Sequence, residues 1–144
     1  MNKRSGVRAR RRRLLLVEDN SDERVMYGFR LRAAGWEVEE ISSGVRALET
    51  AVAFDPDVVV SDLTMPELDG AETTRLLRSD PRTEHIPVLV LSGAVERSWE
   101  AYHAGCHTFL AKPCLPETLL EMVESVFREG DPSTNRGGRG DFGA

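Results

Sequence analysis

The stretch VVVSDLTMPELDG, residues 58–70, joins an apolar run to a carboxylate. Residues 58–61 predict a short strand buried on both faces, because a continuous apolar run lacks the alternation of a half-buried strand. The run ends at Asp62. A carboxylate at that position is costly to remove from water unless a neighbouring group uses its charge. The position of Asp62 therefore raises the question of which groups the fold places beside it.

On both sides of this stretch, short apolar runs alternate with amphipathic segments. Five strands are predicted, at residues 14–17, 36–41, 58–61, 86–91 and 108–111. Five helices are predicted between and after them, at residues 21–34, 44–54, 70–79, 95–104 and 115–128. Repeated strand–helix units predict an α/β fold with a parallel sheet and helices on both faces. Five such units favour the flavodoxin-like strand order 2-1-3-4-5.

The helix predictions depend on apolar residues at helical spacing. In the first helix these are Val25, Met26, Phe29 and Leu31, and Gly35 ends it. Among the aromatic residues, Trp36 and Phe54 are expected in or near the core. Trp99 and Tyr102 fall on the fourth predicted helix. The sequence leaves open whether those two pack inside the domain or contact a partner.

The 144 residues suit one domain with tails. Residues 1–13 contain seven of the 19 basic residues and no acid, which leaves 12 basic and 24 acidic side chains for the other 131. We expect a basic disordered arm at 1–13, a globular domain at 14–129 and a Gly/Arg-rich disordered tail at 130–144. The arm is the one feature that suggests nucleic acid or an anionic membrane, and a solvated tail is the favoured interpretation.

Composition also restricts the setting. No apolar run approaches the length of a membrane span, and no long apolar segment follows the basic start. Two cysteines, Cys106 and Cys114, are too few for a disulfide framework. We therefore expect a reduced, cytoplasmic protein, as a monomer or weak dimer.

Polar residues follow four of the predicted strands. In doubly wound sheets, ligands bind beyond the carboxyl ends of the strands at the switch point. The residues at those ends are Glu18, Asp19, Asp62, Ser92 and Lys112. The chain has 17 arginines and only two lysines, so the single lysine of the globular part suggests a position that needs a compact charge.

The charges of this set indicate its chemistry. Two carboxylates about 4 Å apart repel by about 4 kcal/mol at an effective dielectric near 20. One lysine cannot neutralise three acids, whereas Mg²⁺ suits an all-oxygen site. We therefore predict Mg²⁺ at Glu18, Asp19 and Asp62. A carboxylate beside the metal can attack phosphorus, which makes Asp62 a candidate phosphoryl acceptor, with Lys112 offsetting charge and Ser92 donating a hydrogen bond.

Each of these residues also has an ordinary structural explanation. Glu18 and Asp19 could cap the following helix. Asp62 could begin the turn before Pro66. The combination of acids with Lys112 favours the metal site over capping. A second grouping, His103, Cys106 and His107, lacks zinc-finger spacing and a fourth ligand, and we do not favour it as a metal site.

Four motifs, each at a predicted strand end, together resemble the receiver domain of two-component response regulators. They are LLLVEDN (14–20), VVVSDLTMPELDG (58–70), PVLVLSG (87–93) and FLAKPC (109–114). The resemblance covers about residues 13–129. The sequence departs from the common pattern at Ser92, where threonine is frequent, at Phe109, where tyrosine is frequent, and at Cys114, where an aromatic residue is usual.

The resemblance implies roles for individual residues. Asp62 would accept a phosphoryl group from a histidine kinase or phosphotransfer protein, and Lys112 would pair with it. Glu18, Asp19, Asp62 and the backbone carbonyl of Thr64 would hold Mg²⁺. The Lys112–Pro113 peptide would be cis.

The resemblance also implies a switch and an output. Ser92 and Phe109 would move together on phosphorylation and alter the face formed by the fourth helix, fifth strand and fifth helix. Because residues 130–144 are too few for an output domain, we expect a stand-alone receiver that binds an unknown downstream protein or passes the phosphoryl group onward.

Two other functions are compatible with parts of the sequence. A haloacid-dehalogenase-type phosphatase also uses an aspartate nucleophile and Mg²⁺, but it needs a second aspartate two positions later, where this chain has Thr64. A binding module that works without phosphorylation would not need the complete set of acids, Ser92 and Lys112. We therefore favour a signalling domain over an enzyme.

Overall fold

The computed structural model describes residues 12–130, which form five strands and five helices. The predicted arm and tail therefore lie almost entirely outside the described residues. The strands are β1 (Arg13–Val17), β2 (Glu37–Ile41), β3 (Val58–Asp62), β4 (Val88–Ser92) and β5 (Thr108–Ala111). The helices are α1 (Ser21–Ala33), α2 (Ala47–Phe54), α3 (Gly70–Ser79), α4 (Ser98–Ala104) and α5 (Pro116–Glu129). Single 3₁₀ turns, Gly44–Arg46 and Val95–Arg97, precede α2 and α4.

The five strands are parallel and lie in the order β2-β1-β3-β4-β5. This confirms the predicted α/β fold and its strand order. The order reverses direction between β1 and β3, which places the ends of these two strands side by side. Val17 of β1 is paired with Ser61 of β3, so that the residues following them are neighbours.

The core forms two layers, one on each side of the sheet. Successive strand residues point to opposite faces, so Leu14 and Leu16 pack toward α1 and α5 whereas Leu15 and Val17 pack toward α2, α3 and α4. All residues of β3 and β4 are buried. The continuous apolar character of these two strands follows from this double coverage.

Of the four apolar residues that indicated α1, Leu31 is buried and the other three are exposed. The buried residues of α1 are Tyr27, Gly28 and Leu31, whereas Phe29 is 73% exposed and Val25 and Met26 are also exposed. An ideal Cβ at Gly28 would collide with the Oε2 atom of the Glu40 side chain, which reaches α1 from β2. The apolar residues on the other side of α1 are left in solvent.

Trp36 and the two aromatic residues of α4 differ in their burial. Trp36 is buried, as predicted, and contacts the ring of Phe127 edge-on at 5.1 Å between centroids. Trp99 and Tyr102 are both exposed on α4. The Tyr102 hydroxyl nevertheless accepts a hydrogen bond of 3.1 Å from the Phe109 backbone N–H, which links α4 to β5.

Gly70 brings α3 against the end of β3. An ideal Cβ at Gly70 would collide with the backbone carbonyl oxygen of Asp62, and the Gly70 N–H donates to the Leu63 carbonyl at 2.7 Å. The preceding residue, Asp69, caps α3 in a reciprocal arrangement with Glu72. Asp69 and Gly70 therefore fix the start of α3 and its distance from β3.

The first described residue, Arg12, is bound to the domain and not free in solvent. Its guanidinium forms two parallel hydrogen bonds with the Glu124 carboxylate, at 2.9 and 3.1 Å. It also lies 5.1 Å from the centre of the Trp36 ring and 5.3 Å from that of Phe127. Within residues 12–130, no helix is long and apolar enough to cross a membrane.

Candidate functional site

The three predicted acids converge at the carboxyl ends of β1 and β3. Glu18 follows β1, is fully buried, and its N–H donates to the Ile41 carbonyl of β2 at 3.0 Å. Asp62 is the last residue of β3 and is 7% exposed, while Asp19 is exposed at the rim. Carboxylate oxygens of the three side chains all lie within 4.8 Å of one another. Among the residues described, this is the one group of three or more potential metal-ligating side chains.

Burial and mutual repulsion oppose ionisation of the two inner acids. Burial, followed by the negative charge of Asp62, raises the pKa of Glu18 to about 7. Burial also raises the pKa of Asp62, although the Lys112 ammonium opposes this shift. Ionisation of both carboxylates is unfavourable in this buried site, and a bound cation would offset their repulsion.

Lys112 reaches the same site from the end of β5. Its Nζ lies 3.5 Å from Asp62 Oδ1 and 3.3 Å from Glu18 Oε1. Burial on its own lowers the pKa of this ammonium, but the hydrogen bond to Glu23 and the charges of Asp62 and Glu18 outweigh that effect and raise it. Lys112 therefore stays a cation at neutral pH.

Glu23 is a member of the site that the sequence did not predict. Its Oε1 lies 2.5 Å from Lys112 Nζ, closer than either predicted acid. The spacing from Asn20 to Glu23 is that of a helix cap, and the Asn20 side chain does accept from the Glu23 N–H at 2.9 Å. The Glu23 carboxylate, however, does not complete the cap and extends to Lys112. The Asn20–Glu23 spacing therefore predicts the backbone hydrogen bond of the cap, but it does not predict where the Glu23 carboxylate binds.

Asn20, and not Glu18 or Asp19, caps α1. The Glu18 Oε2 atom accepts from the Asn20 N–H at 3.2 Å, which fixes the carboxylate from the loop side. Arg24 on α1 donates to the Glu18 backbone carbonyl at 2.8 Å. These contacts hold Glu18 in place. Capping of α1, the alternative explanation for Glu18 and Asp19, is performed by Asn20.

The remaining predicted residues lie on the adjoining strands and loops. Ser92 is buried at the end of β4, where its Oγ accepts from the Ala94 N–H at 2.9 Å. The Lys112 N–H donates to the Ser92 carbonyl at 2.9 Å, so the two residues are coupled through the backbone. The Lys112–Pro113 peptide bond is cis. Phe109 is partly buried against the core, and Thr64 is exposed in the loop after β3.

The His103, Cys106 and His107 grouping does not form a metal site among the described residues. Cys106 is buried, and burial raises the pKa of its thiol to about 11. His107 Nε2 lies 3.0 Å from Glu129 Oε1 at the end of α5. The Cys106 side chain therefore packs in the core, and His107 contacts the Glu129 carboxylate of α5.

The geometry agrees with comparisons to known proteins. A family model described as the response regulator receiver domain matches residues 14–124, and the chain belongs to this family. The DNA-binding dual master transcriptional regulator RpaA of Synechocystis is 31% identical over 121 residues, which are 83% of this chain and 50% of RpaA. This chain thus matches about half the length of that relative.

Solved structures of receiver domains are also similar. The chemotaxis response regulator CheY4 of Vibrio cholerae is 33% identical, with a TM-score of 0.76 over 81% of this chain and 99% of CheY4. The receiver domain of sensor histidine kinase PA1611 from Pseudomonas aeruginosa is 26% identical, with a TM-score of 0.76 over 82% of this chain and 98% of that one. The PA1611 domain has a magnesium ion coordinated in its active site cleft.

Proposed function

We propose that this receiver domain accepts a phosphoryl group on Asp62 from a phosphohistidine of a histidine kinase or phosphotransfer protein. The observation that carries the proposal is the convergence of Glu18, Asp19, Asp62 and Lys112 from three strand ends, with ligand oxygens within 4.8 Å and Lys112 Nζ 3.5 Å from Asp62. A buried carboxylate next to a permanent cation and two further acids is what phosphoryl transfer to an aspartate requires.

In the reaction, an oxygen of the Asp62 carboxylate forms a bond to phosphorus while the phosphorus–nitrogen bond of the donor breaks. The imidazole leaves with the electron pair of that bond and takes a proton from solvent. Lys112 offsets the negative charge on the transferring group. Ser92, now hydrogen-bonded to the Ala94 N–H, would donate its hydroxyl proton to a phosphoryl oxygen.

The residues of the site fit Mg²⁺. The donors are all carboxylate oxygens, and Glu18 and Asp62 are buried. Burial is the first cause of their raised pKa values, followed for Glu18 by repulsion from Asp62, so a bound cation would favour the ionised form of both groups. Glu18, Asp19, Asp62 and the Thr64 carbonyl would hold the ion. When bound, Mg²⁺ would lower the repulsion between Asp62 and the incoming phosphoryl oxygens.

The output of the domain would follow from movement of Ser92 and Phe109. The Ser92 Oγ accepts from the Ala94 N–H and retains its own proton for donation to the phosphoryl group. Movement of Ser92 toward that group would be transmitted to β5 through the hydrogen bond between its carbonyl and the Lys112 N–H. Phe109 is only partly buried and its backbone contacts Tyr102. Both changes would alter the face formed by α4, β5 and α5, which would bind a downstream protein in the cytoplasm.

Incubation with acetyl phosphate and Mg²⁺, followed by intact-mass measurement, tests the proposal. The wild type should gain one phosphoryl group, and Asp62→Asn should gain none. Asp22→Asn, which removes the same charge from an exposed position on α1, should behave like the wild type. A wild type that stays unmodified would favour a phosphorylation-independent binding module. Continuous turnover of a phosphomonoester would favour a phosphatase.

A further inference from the structure

We propose that Glu23 is a positioning residue that holds the Lys112 ammonium away from Asp62 until a phosphoryl group arrives. This inference rests on the proposed function and adds a competing carboxylate to it. In this structure the ammonium has three acidic neighbours, and the nearest is not a residue of the acid cluster.

The distances show where the lysine is held. Lys112 Nζ lies 2.5 Å from Glu23 Oε1, 3.3 Å from Glu18 Oε1 and 3.5 Å from Asp62 Oδ1. Charge-assisted hydrogen bonds are strongest at short donor–acceptor distances, and contacts near 3.5 Å are much weaker. The ammonium is therefore displaced toward α1, and Asp62 has the weakest of the three contacts.

The four side chains also differ in their exposure to solvent. The side chains of Glu18 and Asp62 are 1% and 9% exposed, that of Lys112 is 17% exposed, and that of Glu23 is 35% exposed. Lys112 thus lies between a buried pair of acids and an acid at the rim. Its ammonium can move toward either side by rotation of its own side chain.

The backbone on both sides of the pair is fixed. The Glu23 N–H is bound by the Asn20 cap of α1, and the Lys112 N–H is bound to the Ser92 carbonyl of β4. A change in the distance between Lys112 and Asp62 must therefore come from side-chain movement, and breaking the contact with Glu23 is part of its cost.

Phosphorylation changes only one of the competing partners. An acyl phosphate on Asp62 carries more negative charge than the carboxylate and adds acceptor oxygens. The attraction of Glu23 stays the same. Glu23 therefore stabilises the unmodified protein relative to the modified one, and removal of its charge shifts the equilibrium toward the modified state.

Beryllofluoride with Mg²⁺, a non-covalent mimic of the phosphoryl group, provides the test. Glu23→Gln should bind it about fivefold more tightly than the wild type, the size expected for loss of one part-exposed ion pair. Asp22→Asn removes a charge from the same helical turn, and it should bind within about twofold of the wild type because this side chain is exposed.

A second readout reports on the lysine itself. Lys3 and Lys112 are the two lysines of the chain, so ¹⁵N-lysine labelling gives two side-chain ammonium signals in NMR spectra. In Glu23→Gln without the mimic, the Lys112 signal should move toward the position that the wild type reaches when beryllofluoride is bound. A substitution that only altered the stability of α1 would not move it in that direction.

Two results would overturn the inference while leaving the proposed function intact. One is beryllofluoride binding by Glu23→Gln that is equal to or weaker than that of Asp22→Asn, in a wild type that is phosphorylated on Asp62. The other is a Lys112 signal that Glu23→Gln leaves unchanged. If the wild type takes up neither beryllofluoride nor a phosphoryl group from acetyl phosphate, the proposed function fails, and the inference fails with it.

Discussion

Replacing Asp62 with asparagine should stabilise the metal-free protein, although it removes the proposed phosphoryl acceptor. The reason is the crowding of charge at this position. Asp62 is within 4.8 Å of two other carboxylates and 3.5 Å from one ammonium. Asparagine keeps the size and the hydrogen-bonding groups of the side chain and removes its charge.

The magnitude follows from these distances. At an effective dielectric near 20, each repulsion at 4.8 Å costs about 3.5 kcal/mol and the attraction at 3.5 Å contributes about 5 kcal/mol, so the net repulsion is about 2 kcal/mol. Asp19 is exposed, so its repulsion falls to at most about 1 kcal/mol, and the charge–charge terms then nearly cancel. The remaining cost is burial of the Asp62 charge, the largest cause of its raised pKa, and removal of that charge should gain about 1–2 kcal/mol. For a domain of this size, that corresponds to a rise in Tm of about 2–8 °C.

Thermal unfolding in EDTA at pH 8 measures the effect, since Glu18, with a pKa raised to about 7, is then mostly ionised. Asp22→Asn serves as the control for loss of one acid from an exposed site and should change Tm little. Added Mg²⁺ should stabilise the wild type more than Asp62→Asn, because the substitution removes one of the proposed ligands. Binding at a concentration of 100 times Kd would contribute about 2.7 kcal/mol to the wild type. A metal-free Asp62→Asn protein that melts at or below the wild-type temperature would refute the electrostatic reasoning.

Two further substitutions test how the site is held. Gly70→Ala should lower the free energy of unfolding by about 1–3 kcal/mol in urea titrations, because its Cβ would meet the Asp62 backbone, whereas Gly93→Ala, with open space around its Cβ, should be nearly neutral. Equal effects would contradict the close approach of α3. Arg12→Ala should destabilise by about 1–2 kcal/mol near pH 7. The Arg12 guanidinium lowers the pKa of Glu124 in the folded protein, so this contribution is present above pH 4.5 and is lost as pH falls through the folded pKa. The difference from wild type should therefore shrink in acid, and a difference that is independent of pH would contradict the ion pair.

The strand order and the convergence of the acids could be predicted because both depend on period and position alone. Continuous apolar runs identified β3 and β4 as buried strands, and the rule for parallel sheets placed Glu18, Asp62 and Lys112 at one edge. Most element ends shifted by one or two residues; β4, for example, begins at Val88 and not at residue 86. Helices α2 and α4 begin three residues later than predicted, because a 3₁₀ turn precedes each of them. Such shifts are ordinary at strand and helix ends.

Features that depend on the relative placement of elements could not be predicted. The contact between Glu23 and Lys112 joins residues 89 positions apart, on α1 and at the end of β5. The buried face of α1 is set by the packing of Tyr27 and Leu31 against the sheet and α5, which apolar spacing alone does not encode. Arg12 belongs to a basic run, and nothing in that run indicates its contacts with Trp36 and Glu124.

The Arg12 guanidinium is held at the end of the sheet that lies opposite the acid cluster. Arg12 precedes β1, whereas Asp62 lies at the opposite end of the neighbouring strand, and a five-residue strand spans about 16 Å. That span exceeds the screening distance of about 8 Å in physiological salt. The charge of the Arg12 guanidinium should therefore have little effect on the ionisation of Asp62. Its influence is confined to its own end of the sheet, where it contacts α5 through Glu124.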